Sequence, residues 1–302
     1  MAGLRFDQAA AALFDDYSRA RLQAWIRDGS LRLQGRSAAP KHRVAGGEWL
    51  SLDARPEPDE TAQPEAIPLD ILHADDDLLV VNKRTGLVVH PAAGNRDGTL
   101  LNGLLHYDPS LAELPRAGIV HRLDKETTGV MVVARSLRAH TRLVRALQAR
   151  RIKRIYHAIA CGHAPPEGTV DAPVGRDPRH RQRMAVVPNG RQAVSHFRRL
   201  HAFAHFSHLE VSLETGRTHQ IRVHMQHLGL PLAGDPTYGP GRDQRRNWPE
   251  PVREAVDALG RQALHARTLE LKHPASGETC TFEAPLPADM QALLKTLERE
   301  DP

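Results

Sequence analysis

Gly118-Ile119-Val120-His121-Arg122-Leu123-Asp124-Lys125-Glu126-Thr127-Thr128-Gly129 runs directly into the apolar stretch Val130-Met131-Val132-Val133-Ala134. A polar, turn-like run at the mouth of a β-branched strand is a place where functional side chains collect. Asp124 lies between Arg122 and Lys125, and neighbouring cations favour the ionised carboxylate that a nucleophile or general base must be. A loop salt bridge ahead of a strand describes the same residues, and spacing alone leaves both readings open.

Outward from this segment, residues 78–81, 130–134 and 155–161 are apolar and β-branched, and Leu209, Val211 and Leu213 alternate with Glu210, Ser212 and Glu214. These patterns predict strands. Helices are expected over 137–150 behind the cap Ser136, over 219–228 after Thr218, and near 289–297. Irregular alternation of the two types predicts an α+β domain built on a mainly antiparallel or mixed β-sheet.

The front of the chain reads differently. Phe6, Ala9, Ala10 and Leu13 recur at helical spacing. After Tyr17 a second helix is expected to start at the cap Ser18, carry Leu22, Trp25 and Ile26, and close at Gly29. Leu31 and Leu33 suggest one short strand, Gly46-Gly47 a turn, and Trp49, Leu50 and Leu52 another strand. Arg19, Arg21 and Arg27 surround the apolar stripe of the second helix, while Lys41, His42 and Arg43 precede the turn. Such a surface suits a phosphate backbone, or is simply solvated. Residues 54–66 are acidic and proline-rich, which marks a linker. The expected organisation is therefore a small domain at 1–53, a linker at 54–66 and a larger domain at 67–302.

The 302 residues are 40% apolar and 25% charged, enough to build a core. A net charge of +5 and 18 histidines suit either a polyanionic partner or plain solubility. The two cysteines, Cys161 and Cys280, form no secreted-type framework, so a reduced, cytoplasmic setting is expected. No segment reads as a membrane span or export signal. Arg138, Arg142 and Arg145 fall on one helical face, Arg150, Arg151, Lys153 and Arg154 crowd the junction after it, and Arg176, Arg179, His180, Arg181 and Arg183 share a loop with Pro178. Two basic clusters on one chain favour RNA over a merely solvated surface.

Three separated motifs resemble one known family, the RluA-type pseudouridine synthases. They are His121-Arg122-Leu123-Asp124 with Thr127-Thr128-Gly129, Arg154-Ile155-Tyr156-His157-Ala158, and residues 216–224 followed by Leu232-Ala233-Gly234-Asp235-Pro236-Thr237-Tyr238-Gly239. The order of elements in 1–53 is similar to the S4 RNA-binding domain. Thr128 is Ser in many members, which keeps the hydroxyl, and residues 241–252 look variable in length. The resemblance implies that Asp124 is the catalytic carboxylate, Tyr156 packs against the target base, Arg222 pairs with Asp124, and Arg122 holds RNA open around a flipped nucleotide. It further implies isomerisation of uridine in the large-subunit (23S) ribosomal RNA, at the stem-loop that bridges to the small subunit, as free RNA or within an assembling subunit. The protein is then expected to act as a monomer without metal or organic cofactor.

Rival readings are weaker. His219, His224 and His227 are close in sequence but lack an interleaved acid, and Arg217 and Arg222 stand where a metal would sit. Neither a phosphate-cradling glycine motif nor a G-x-S-x-G elbow occurs. A base glycosylase would also need a carboxylate and a flipped base, but would release uracil. The serious rival is a non-catalytic RNA-binding or ribosome-assembly factor, against which only the Asp124 signature argues.

Overall fold

Along Lys153–Cys161, Tyr156, Ala158 and Ala160 join one apolar cluster while Ile159 and Cys161 join another. Successive strand residues face opposite sides of a sheet, so this strand is buried on both faces and organises the larger part of the molecule. The computed structural model describes residues 2–14, 19–53, 62–91, 95–180 and 183–301. The chain divides into two units, Met1–Glu57 and Pro58–Pro302.

In the first unit α1 (Phe6–Leu13) and α2 (Arg19–Asp28) pack with the antiparallel pair β1 (Leu31–Leu33) and β2 (Leu50–Leu52). Phe6, Leu22, Trp25, Ile26 and Leu31 form its core. The expected cap Ser18 lies outside the described residues. Gly29 ends α2 with a φ of +83°, the left-handed geometry that glycine enters without steric cost. Trp49, expected in the second strand, precedes it; its indole lies over Gly35, and 55% of its surface is exposed.

The second unit carries a nine-stranded sheet. Its strands are β3 (Ile71–Ala74), β4 (Leu78–Lys83), β5 (Thr128–Ala134), β6 (Lys153–Cys161), β7 (Glu167–Asp171), β10 (Val194–Ala202), β11 (Phe206–Leu213), β12 (Leu264–Lys272) and β13 (Thr279–Glu283), while β8 (Val174–Arg176) and β9 (Met184–Val186) form a separate pair. The order is β3-β4-β5-β12-β6-β11-β10-β7. The start of β12 pairs with β5 in parallel and its remainder with β13, so the two share one edge. The other ladders are antiparallel, and the α+β class with a mixed sheet stands as expected.

Helices α3 (Leu100–Tyr107), α4 (Leu137–Gln148) and α5 (Gln220–His227) contribute to the apolar cluster that holds Tyr156. Past the short α6 (Arg242–Arg245), α7 (Glu250–Leu259) and α8 (Ala288–Arg299) cover Ile159, Cys161 and Phe206 on the other face. Helix α4 stops two residues short of the expected end because Arg150 turns left-handed, at a φ of +56°. The N–H of Arg150 then bonds Leu147 O and that of Arg151 bonds Ala146 O, which closes the last turn. Ala62, from the acidic stretch, is buried in the same cluster as Tyr156, and the Glu65 N–H bonds Asn102 O.

Candidate active site

The loop before β5 is held against neighbouring backbone at both ends by glycine. Gly118 and Gly129 have φ values of +78° and +116°, and a Cβ on either would overlap a carbonyl oxygen, of Ala134 and Ala266 respectively. Between them, the Thr127 N–H bonds Asp124 O at 3.1 Å and makes the turn that presents Asp124. The His121 Nε2 accepts the Val132 N–H at 3.1 Å, and burial pushes this imidazole down to about 3, so it is a neutral structural acceptor.

A buried lysine anchors the same loop. Lys83, at the end of β4, is 2% exposed and donates to the carbonyls of Arg84 (2.9 Å), Leu87 (2.9 Å) and Lys125 (2.8 Å). Burial lowers its ammonium to about 7, with Glu126 and Asp124 opposing the shift. The Glu126 carboxylate accepts from Thr85 Oγ1 and the Gly86 N–H, and Arg261 Nη1 donates to Glu126 O. The carboxylate of Asp124 thus sits on a braced turn, facing a cavity of about 580 Å³.

The cation that touches Asp124 is not one of its chain neighbours, since Arg122 and Lys125 are exposed. It is Arg222 of α5, whose Nη1 donates to Asp124 Oδ2 at 3.1 Å. Asp235 holds that guanidinium from its other edge, accepting from Nε at 2.7 Å and Nη2 at 2.9 Å. Asp235 Oδ1 also accepts the Thr237 and Tyr238 N–H groups. Burial would raise the Asp235 carboxyl, but Arg222 and these backbone donors outweigh it and the net shift is downward. The planar fork of arginine lets one side chain serve both carboxylates, which the point charge of lysine cannot do with this geometry.

Tyr156 and Arg154 lie two residues apart on β6, hence on one face, and both line the cavity. Burial raises the Tyr156 phenol, which stays neutral. Arg154 is 9% exposed, its Nε is buried without a hydrogen-bond partner, and the lack of a side chain at Gly216 leaves room for its guanidinium. His219 completes the wall: its Nε2 stands 3.9 Å from Asp124 Oδ2, and its Nδ1 is 2.8 Å from the Tyr238 hydroxyl.

Asp124, Tyr156, Arg222 and Arg122 therefore meet at one cavity. Of the other expected RNA contacts, Arg138, Arg142, Arg145 and Arg176 of the second unit do not line it. Arg138 pairs with Asp77 at 3.0 Å, Arg142 donates to Pro274 O, and Arg145 is exposed. Arg27 is exposed on α2, Arg176 ends β8, Arg19 and Arg21 open α2, and Arg181 lies outside the described residues. Basic residues at the cavity itself include Arg116, Arg150, Arg191 and Arg217, of which Arg150 pairs with Glu214 at 2.7 Å. Among the described residues no group of three His, Cys, Asp or Glu side chains can hold a metal ion; His224 is buried against Ser195 and Ala172 O, away from His219.

Sequence reasoning assigned no role to Asp235, His219 or Lys83. The signal for Lys83 was present, a lysine two residues beyond the wholly apolar run 78–81. Asp235 and His219 lay inside quoted motifs, but nothing in a linear pattern pairs residue 235 with 222.

Residues 77–227 match the family model described as RNA pseudouridylate synthase. A ribosomal large subunit pseudouridine synthase D of Neisseria meningitidis serogroup B is 52% identical over 99% of this chain and 80% of the relative. Its Escherichia coli K12 counterpart is 50% identical over 98% of this chain and 91% of the relative. Among solved structures, the human RNA pseudouridylate synthase domain containing 4 superposes with a TM-score of 0.59 at 28% identity, covering 76% of this chain and 93% of that one.

Proposed function

The chain belongs to the RNA pseudouridylate synthase family and is an isomerase, and from that premise we propose that it converts uridine to pseudouridine in large-subunit ribosomal RNA, with Asp124 as its catalytic carboxylate. The observation that carries this reading is the Asp124–Arg222–Asp235 chain at the cavity wall, a carboxylate fixed by a guanidinium that is itself fixed.

The reaction breaks the bond from N1 of uracil to C1′, turns the base and joins C5 to C1′, with one proton leaving C5 and one arriving at N1. The base must leave the RNA helix first, at a cost of a few kcal/mol. Tyr156 supplies a plane for the extruded uracil, by analogy worth ~1–3 kcal/mol. Arg122 at the cavity mouth holds the opened strand, and the exposed arginines of α4 together with the exposed Arg176 and Arg179 follow the phosphates beyond it. Arg222 keeps Asp124 anionic once RNA excludes water, where an unpaired charge would be far more costly.

The substrate is the stem-loop that bridges to the small subunit, as free RNA or within an assembling large subunit, met in the cytoplasm by a monomer of this protein. Residues 1–53 act as an S4-like RNA-binding module joined by the 54–66 linker; the exposed Arg27 and the basic loop at 41–43 support that role. No helix of the described residues is long and apolar enough to cross a membrane.

The test incubates purified protein, without metal or nucleotide, with a transcript of that stem-loop and with immature large subunits, and reads pseudouridine by nuclease digestion and chromatography. Wild type is expected to form pseudouridine with no release of uracil, and Asp124→Asn to bind RNA but form none. Tight, salt-sensitive binding without product from either protein would leave a binding or assembly factor.

A further inference from the structure

We propose that His219 is a second catalytic residue, a neutral imidazole whose Nε2–H donates a hydrogen bond to the uracil carbonyl oxygen that gains negative charge as the N1–C1′ bond breaks. The proposal deepens the isomerase reading and rests on it.

The first support is conformational. His219 takes φ +57° and ψ +20°, a left-handed geometry that costs a non-glycine residue free energy and persists only where the surroundings impose it. Its carbonyl still accepts the Val223 N–H, so α5 starts normally while the side chain turns to the cavity instead of following the helix.

The second is hydrogen-bond accounting. The Tyr238 side chain is buried, and its hydroxyl oxygen accepts the Met184 N–H at 2.8 Å. Its own proton needs an acceptor, and it is assigned to His219 Nδ1, the ring nitrogen 2.8 Å away. A neutral imidazole with Nδ1 accepting carries its proton on Nε2. Nε2 faces the cavity 3.9 Å from Asp124 Oδ2, too far for a direct bond, so among the described residues its N–H is unspent.

The third is electrostatic. Asp124 and Asp235 face the ring and favour its cation; burial, Arg222 and Arg122 disfavour it, and the balance lowers its pKa, so the ring is neutral at pH 7. Three of the Arg222 N–H donors are already committed to two carboxylates. His219 is thus a free donor beside Asp124 where charge develops on the departing base. No proton is transferred: the imidazole donates throughout, and the C5 and N1 protons exchange elsewhere. Removing one such preorganised donor costs about 10²–10³ in rate.

The tautomer is read directly from ¹⁵N NMR of the full-length protein labelled at histidine, with His219 assigned by its loss in His219→Gln. The expected spectrum has the proton on Nε2 and a bare Nδ1 at pH 7; a proton on Nδ1 overturns the proposal whether or not RNA is a substrate. Single-turnover conversion of the stem-loop then tests the role. His219→Ala is expected to lower the rate about 100-fold with RNA affinity within about threefold, and His219→Gln, which restores a donor near Nε2, to recover at least tenfold. A His219→Ala rate within threefold of wild type refutes catalysis by this residue. Equal loss in both variants, together with an acid limb present only in wild type, replaces the donor with a general base. If wild type converts no uridine but the Nε2 tautomer is found, the isomerase reading fails while the assigned donor stands.

Discussion

Removing the Asp235 carboxylate isolates what the buried clamp contributes. Asp235→Leu leaves the Arg222 guanidinium, whose side chain is 6% exposed, without the partner that satisfies two of its donors. Breaking a buried pair from one side costs about 3–5 kcal/mol, because the survivor is a charge out of water. For a unit of this size each kcal/mol lowers Tm by roughly 2–4 °C, so a fall of about 6–20 °C is expected. Arg222→Met is expected to cost a similar amount, since it strands Asp235, whose side chain is fully buried. The double variant removes both charges and is expected to lie within about 2 kcal/mol of wild type, well short of the sum. Asp124 tolerates this because its side chain is 17% exposed and can be hydrated. Catalysis behaves otherwise: Asp124 has lost its cation, so turnover stays at least about 100-fold down even in the restabilised double variant. Asp235 titrates below its ordinary range in the folded chain, so the advantage of wild type over the double variant is present above about pH 4 and disappears as pH falls through the native value. The assay is thermal unfolding of all four proteins from pH 3 to 8 beside single-turnover kinetics. Strictly additive losses, or a double variant that regains turnover along with Tm, would refute the reasoning.

Lys83 is neutral in the folded protein above about pH 7 but protonated in the unfolded chain up to its ordinary value of 10.5. Wild-type stability should therefore gain up to ~1.4 kcal/mol per pH unit from this group between about 7 and 10, a slope that Lys83→Met abolishes in urea titrations. Gly129→Ala, which drives a Cβ into Ala266 O at a φ suited to glycine, is expected to cost more than about 3 kcal/mol, with a denaturation midpoint near wild type counting against it. Arg145→Ala on α4 should weaken stem-loop binding and lower its salt slope by about 1 while leaving single-turnover kcat unchanged; an unaltered slope removes Arg145 from the phosphate path.

Periodic patterns made most elements legible in the chain itself. The strand from Val130, the helix behind Ser136 and the alternation at 209–213 each follow from how a strand or helix divides its side chains between core and solvent, a property of local sequence. The misplacements have local physical causes: Arg150 and His219 turn left-handed where a helical pattern predicts continuation, and Trp49 covers a glycine instead of entering a strand. The carboxylate at Asp124 and the cavity tyrosine were legible through motif resemblance.

The sequence by itself determined the class of fold and the family, and it put Asp124 between two cations. Motif resemblance also named Arg222 as its partner, but only the tertiary structure showed why the chain neighbours do not serve and that Asp235 holds Arg222 in place. Arg122 and Lys125 face solvent, where water screens them, while Arg222 arrives from 98 positions away with Asp235 behind it. Strength of a charge pair depends on distance and dielectric, and both are set by how β5 and α5 are brought together, not by proximity along the chain.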